Sequence, residues 1–416
     1  MSSVGCVDDA NVPEGAFSEN SDEILFISKT ISQIESSLIK NSVEKYGFSA
    51  VKRALGAYKK VKTMKPNYLP SKDLLKIILY IENDFQKAIS ENTHYQSRKK
   101  TGLICPIEYD PKSGDTYIHL APFKESQLGA GCHKRVSISI KYDRKFPHLV
   151  ANNVFKGDSE QQEIDALTRL HGDAGLLETL AFTKRKKTHG KTILGFVTKL
   201  YNLGPLGRSI KNKRSFTKKE IVSIGCDLLT GLKNLHSKGY CHRDLHDHNI
   251  VLDESYDAKK RKISAVFIDF GRAQQATEIG DNFPQASKRM NPPEFYKSGR
   301  KDEDHRLSDI YALGFNLYTL INKKMPPWGI ELFNAFKTVP KLKVHERIQF
   351  GKKLTSQIDQ YVIPKLKKFA NANKKSKIEP FKQFKMIVLE MLSSDPKNRP
   401  HAEKLLIKAQ SILKKM

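Results

Sequence analysis

A chain of 416 residues exceeds one average domain, so two or three compact units are expected. Its 72 Lys and Arg against 45 Asp and Glu give a formal net charge of +27, a field that favours anionic partners; the lysines are scattered and not interleaved with aromatics, which argues against a specific nucleic-acid groove. The five cysteines, Cys6, Cys105, Cys132, Cys226 and Cys241, are odd in number and widely spaced, which excludes a disulfide framework or a zinc site and points to a reducing, cytoplasmic compartment.

Residues 1–20 are polar and acidic without an apolar period, so a disordered tail is expected, and they lack the basic, apolar and small-residue order of a secretory signal. Residues 21–100 predict a helical extension. Ile24, Ile27, Ile31, Ile34 and Leu38 recur at three- and four-residue steps behind an Asn20 and Glu23 capping-box pair. Val51, Ala54, Leu55, Tyr58 and Val61 mark a second helix, and Leu74, Ile78, Ile81 and Phe85 a third. Such a bundle is a scaffold or a docking surface for a regulatory protein. The most apolar run, Leu74 to Ile81, is too short for a bilayer and contains Lys76, so no transmembrane segment is expected.

Residues 101–200 change period. Apolar and polar residues alternate on either side of a turn-rich Asp110 to Asp115, predicting a hairpin. In LGAGCHKRV, Gly129 and Gly131 precede Val136, with Lys134 where a third glycine would complete the spacing. Glycines of this kind let a backbone lie against phosphates and present its N–H groups. Val154 and Phe155 end a strand at Lys156. Ser159 and Gln162 then cap a helix with Glu163, Leu167 and Leu170 on one face. Ile193 to Thr198 reads as a buried strand running into Lys199, Leu200 and Tyr201.

Residues 201–416 carry the densest signals. Ile221, Leu228, Leu229, Leu232 and Leu235 give a helical period leading into YCHRDLHDHN at 240–249. A polar hairpin at Asp253 to Lys262 separates this from FIDFG at 267–271, and NPPE (291–294), SDIYALG (308–314), MPPWG (325–329) and DPKNRP (395–400) follow. Lys365 to Lys377 is a lysine-rich stretch expected as a solvated loop with a weak contact to acidic membranes or acidic proteins. From residue 124 onward this ordered set resembles the eukaryotic-type serine/threonine protein kinases.

The resemblance implies an α+β fold of two lobes, a small β-rich one with one helix (residues 101–200 with extra strands) and a larger helical one (201–416). It implies ATP and Mg²⁺ as cofactors and protein substrates as partners. Gly129, Gly131, Val136, Val154, Lys199, Leu200, Tyr201 and Val251 are then expected to hold the nucleotide, with Thr198 as gatekeeper. Lys156 is expected on the phosphates, oriented by Glu163 or alternatively Glu160. Asp244 resembles the base that accepts the substrate hydroxyl proton, and Asn249 and Asp269 resemble the metal ligands. Asp309 would support the catalytic loop backbone, Arg399 would pair with Glu294, and Thr277 and Ser287 are activation-segment hydroxyls.

His246 completes the expected catalytic set of Asp244, Lys156 and Glu163, and it departs from the family, which usually places lysine two residues after the catalytic aspartate. That loop also resembles the aminoglycoside and choline phosphotransferases, so a small-molecule acceptor is the alternative, as is a nucleotide-binding pseudokinase scaffold. The lysine- and isoleucine-rich composition with a helical extension resembles kinases that intracellular bacteria inject into host cells, which would make a host protein the partner of residues 21–100 and the host cytosol a destination.

Overall fold

The computed structural model describes residues 95–96, 106–110, 115–119, 127–130, 134–142, 147–156, 161–186, 192–257, 260–276, 290–296, 304–338, 343–375 and 378–416. The expected tail and almost all of the helical extension, together with Gly131, Glu160, Thr277 and Ser287, lie outside the described residues. The chain groups into two compact units, Met1–Glu160 with Thr179–Leu200, and Gln161–Glu178 with Tyr201–Met416.

The first unit is built on an antiparallel sheet. Its strands are β1 (Tyr95–Gln96), β2 (Pro106–Asp110), β3 (Asp115–His119), β4 (Gln127–Ala130), β5 (Lys134–Tyr142), β6 (Pro147–Phe155), β7 (Thr179–Lys186) and β8 (Thr192–Lys199). They run in the order β1-β2-β3-β5-β6-β8-β7, with β4 also paired to β5. The predicted hairpin is present as β2 and β3, with Asp110 opposite Asp115. Side chains alternate between the two faces of such a sheet. Tyr117, Val150 and Val197 form a buried cluster against Leu180 and Ala181.

The second unit begins with helix α1 (Gln161–Arg169) and continues through β9 (Gly204–Pro205), α2 (Leu206–Lys211), α3 (Lys218–Ser237), β10 (Tyr240–Cys241), β11 (Ile250–Asp257), β12 (Lys260–Phe267) and β13 (Gln274–Gln275). Helices α4 (His305–Asn322), α5 (Gly329–Thr338), α6 (Val344–Lys375), α7 (Pro380–Met391) and α8 (Ala402–Lys414) complete it. The capping box that starts α3 is formed by Thr217 and Glu220, each side chain meeting the other residue's backbone N–H. The predicted apolar face, Ile221, Leu228, Leu229, Leu232 and Leu235, is buried along the length of α3. Trp328 of MPPWG is also buried and donates its indole N–H to the Tyr311 hydroxyl at 2.8 Å.

One expectation is corrected. Residues 365–375, read as a solvated loop, continue α6 to Lys375. Lysine and alanine are strong helix formers, and a helix with an exposed charged face satisfies its backbone while leaving the ammonium groups in water. Among the described residues no helix is long and apolar enough to cross a membrane.

Candidate active site

Helix α3 delivers the chain to β10, which pairs with β13 so that Tyr240 faces Gln275 and Cys241 faces Gln274. The start of YCHRDLHDHN is thereby tied to the chain just after FIDFG. Between them β11 and β12 form the predicted hairpin, with Ile250 opposite Phe267. That register brings Asn249 and Asp269 to the same end of the hairpin, and the Ile268 N–H donates to the Asn249 carbonyl at 2.9 Å.

Asp309, on α4, fixes the start of the loop. Its carboxylate accepts the backbone N–H of His242 at 2.8 Å and that of Arg243 at 2.9 Å, and lies 3.0 Å from Nε2 of His236. Burial alone would raise the pKa of this carboxyl, but the hydrogen bond and charge of His236, aided by His242 and the Arg243 N–H, hold it below the usual range. Arg243 has a φ of +65° and Asp269 a φ of +66°, a backbone region costly for side-chain-bearing residues and maintained by surrounding contacts. The His242 ring packs between Phe267 and Phe270, with centroids 5.8 and 5.1 Å away, and its Nε2 lies 3.1 Å from the Ile268 carbonyl. The histidine of one motif is therefore bonded to the other.

Asp244 sits half-buried on this frame. Arg272 Nε approaches its Oδ2 at 3.5 Å, and His246 Nε2 is 3.9 Å from its Oδ1. The Asn249 amide donates to the Asp244 carbonyl at 2.9 Å, which leaves the amide oxygen as its acceptor. His246 Nδ1 accepts the His248 N–H at 3.2 Å, so in the neutral ring the proton lies on Nε2, facing Asp244. Burial lowers the His246 pKa despite the opposing pull of Asp244 and Asp247, which favours the neutral ring. Arg243 donates to the side-chain oxygen of Gln274, a neutral group.

Glu163 is buried on α1, and Gln162 beside it donates to the Ala273 carbonyl at 2.8 Å. A Cβ placed on Gly271 would lie 3.3 Å from Glu163 Oε2 and 3.4 Å from Asp269 Oδ1. The Glu163 carboxylate therefore packs against the FIDFG turn, within the second unit. Tyr201, also in this unit, accepts the Glu178 N–H on its hydroxyl at 3.1 Å and is buried, as is Val251.

In the first unit, Gly129 of β4 lies opposite Val136 of β5, and Val136 lies opposite Asn153 of β6. Val154 is opposite Arg135 and so falls on the other face of the sheet from Val136, because partners in an antiparallel ladder share a face and chain neighbours do not. Lys156 follows the last residue of β6 and is exposed. Leu200 is buried and Lys199 exposed at the end of β8.

The carboxylate of Asp269 and the amide oxygen of Asn249 are hard oxygen donors of the kind Mg²⁺ takes, and Mg²⁺ commonly uses few protein ligands beside phosphate and water. The donor set at this end of the hairpin therefore fits that ion. His236, Arg272 and Gln274 were not singled out by sequence. Arg272 alone carried a local signal, as the residue directly after FIDFG.

Compared with known proteins, the chain matches the protein kinase domain over residues 125–409, and it belongs to that family. It is 24% identical over 233 residues to the serine/threonine-protein kinase TOS3 of Saccharomyces cerevisiae, a stretch covering 51% of this chain and 40% of that protein. It is 35% identical over 130 residues to ribosomal protein S6 kinase 2 alpha of Xenopus laevis, covering 30% and 16% respectively. The serine/threonine-protein kinase KIN4 of Saccharomyces cerevisiae is 21% identical over 270 residues, covering 60% and 32%. The chain spans less than half the length of these relatives.

Proposed function

We propose that this chain is a protein serine/threonine kinase that transfers the terminal phosphoryl group of ATP to a hydroxyl on a protein substrate, with the two lobes of that fold. The observation that carries the reading is the loop of Asp244 and Asn249, hung on Asp309 and joined to Asp269 through the β11–β12 hairpin. A frame of this rigidity supports positioning catalysis, in which little covalent chemistry is asked of the protein.

Asp244 is the group that would orient the acceptor hydroxyl and take its proton. Arg272 Nε lies 3.5 Å from the Asp244 carboxylate, beside the oxygens that would meet the acceptor hydroxyl. Asn249 and Asp269 would hold Mg²⁺, which when bound neutralises charge on the transferred phosphate. Gly129, Gly131, Val136, Lys199, Leu200, Tyr201 and Val251 are the nucleotide contacts this reading uses. Glu163 beside Gly271 would keep the Asp269 turn in place.

A protein acceptor is favoured over a small molecule by the buried pair of Glu294 and Arg399, which closes the activation segment in the kinase pattern. Labelled-phosphate transfer from Mg·ATP to a mixed protein substrate, with aminoglycosides and choline in parallel, tests this. Wild type should label protein and Asp244→Ala should not; equal labelling by both would overturn the mechanism. Delivery to a host cytosol, supported only by composition and the extension at 21–100, is tested by a reporter-translocation assay.

A further inference from the structure

The strand register of the first unit bears on which lysine meets the nucleotide phosphates. Lys134 is opposite Phe155, Val136 opposite Asn153, and Ile138 opposite Ala151. On the next strand Asn153 is opposite Phe196 and Ala151 opposite Thr198. One face of β5, β6 and β8 therefore carries Lys134, Val136, Ala151, Asn153, Phe196 and Thr198. It is the face of Val136, which lies opposite Gly129, and of Thr198, the residues assigned to the nucleotide by the kinase reading.

The opposite face carries Val150, Asn152, Val154 and Val197, and Val150 and Val197 are buried there with Tyr117. A lysine reaching the Val136 face from β6 would stand at 151, 153 or 155. Those positions hold Ala151, Asn153 and Phe155. Asn153 is buried, carries no charge, and its amide points to the Phe196 carbonyl at 3.5 Å. Lys156 lies beyond the strand end.

Lys134 is the first residue of β5, separated from Gly131 only by Cys132 and His133. Its ammonium is turned toward a buried aromatic ring. It lies 5.6 Å from the ring centroid of Phe196, which is fully buried, and the lysine itself is half-buried. The charge is thus already turned across this face, next to a loop whose glycines suit phosphate binding. A glycine at that place in the loop spacing would supply only backbone. A lysine supplies a cation on a flexible four-carbon stem.

We propose that Lys134, on the strand after the glycine loop, is the nucleotide-phosphate lysine of this chain, with uncharged Asn153 at the β6 position on the same face and Lys156 outside the site. The proposal rests on the kinase reading, since it places a residue within that reading's nucleotide site.

The test measures binding of a fluorescent ATP analogue to the full chain, with and without Mg²⁺, and phosphoryl transfer alongside. Lys134→Ala should weaken binding at least about tenfold, the cost of losing a charge-assisted contact, and transfer by about a hundredfold. Lys156→Ala should leave both within about twofold, as expected for a surface position. Lys134→Gly combined with Asn153→Lys, which moves the ammonium along the same face, should recover binding relative to Lys134→Gly alone. If Lys134→Ala loses its melting transition, Lys134→Met, which keeps the stem without the charge, takes its place. A tenfold loss of binding in Lys156→Ala, or retained binding in Lys134→Met, overturns the proposal and leaves the kinase reading standing. A wild-type chain that binds no nucleotide overturns both.

Discussion

Arg399 and Glu294 form a buried, two-pronged ion pair between positions 105 residues apart, with Nη2 to Oε2 at 2.8 Å and both side chains closed to solvent. The guanidinium also donates Nε to the Ser393 carbonyl at 2.8 Å and lies 4.9 Å from the Tyr311 ring centroid. Ser308 donates to the Glu294 carboxylate at 3.3 Å. Almost every polar atom of the pair is thus occupied, the condition under which burial of two charges is tolerated.

Removing one partner should therefore cost far more than the pair's net contribution. Arg399→Met is expected to destabilise the second unit by ~3–5 kcal/mol, because the Glu294 carboxylate is left buried without a cation. Arg399→Met with Glu294→Gln should recover much of that loss. Urea unfolding of the three chains checks it, and equal stability of single and double variants would count against the pair as the cause.

Asp309 makes a different demand. It accepts two consecutive backbone N–H groups from the loop that leads to Asp244, as well as facing His236. Asp309→Asn keeps the shape but turns an N–H₂ toward one of these donors, so the loop must move or lose a bond. Under the kinase reading, the turnover number should fall by about ten- to a hundredfold, since positioning rather than chemistry is lost, with little change in KM for ATP. Steady-state kinetics on a peptide acceptor separates the two parameters.

Much of this frame was legible in sequence, and the reason differs from place to place. The α3 face followed from period alone. The parts played by Asp309, Glu294 and Arg399 were expected only through family resemblance, because nothing local in SDIYALG or DPKNRP names its partner. The face assignment of β6 was not legible. Val154, Phe155 and Lys156 read as a strand ending in the required lysine, yet the face a residue occupies depends on pairing with β5, and one step of register reverses it. Likewise His236, Arg272 and Gln274 gain their contacts only through tertiary packing.

Gly231 shows how packing reaches the site. It lies in α3, and a Cβ there would come within 2.5 Å of the Gly175 carbonyl oxygen and 3.0 Å of Phe267 Cδ2. Gly175 has a φ of +79°, and its carbonyl accepts the Phe267 N–H at 3.0 Å. Phe267 stands two residues before Asp269. Gly231→Ala should cost ~1–3 kcal/mol through overpacking against backbone that has no flexible end to yield. Under the same kinase reading it should also lower turnover through displacement of the Asp269 turn. Thermal melting and the kinetic assay should therefore respond together.

Two partly or fully buried aspartates predict opposite responses to pH. Asp309 is held below its ordinary pKa, so its stabilising contribution is present above the unfolded value and is lost as acidification proceeds through the lower, folded one. Asp227, on α3, accepts the Ala265 N–H at 3.1 Å, but burial outweighs that bond and the nearby Lys262 charge, and its pKa is pushed up to about 6. The folded protein then binds this proton more tightly than the unfolded chain. Asp227 therefore favours the fold fully below the unfolded carboxylate pKa of about 4, and that contribution is lost as pH rises through about 6. Asp227→Asn keeps an oxygen for the Ala265 N–H and removes the charge. At pH 7.5 it should stabilise the protein, by at most ~3 kcal/mol from a shift of about two pH units. The gain should shrink on acidification and vanish below about pH 4, where the wild-type carboxyl is neutral in both states. Melting curves of the two chains from pH 4 to 8 measure this directly, and a gain independent of pH would show that the benefit comes from something other than the Asp227 proton.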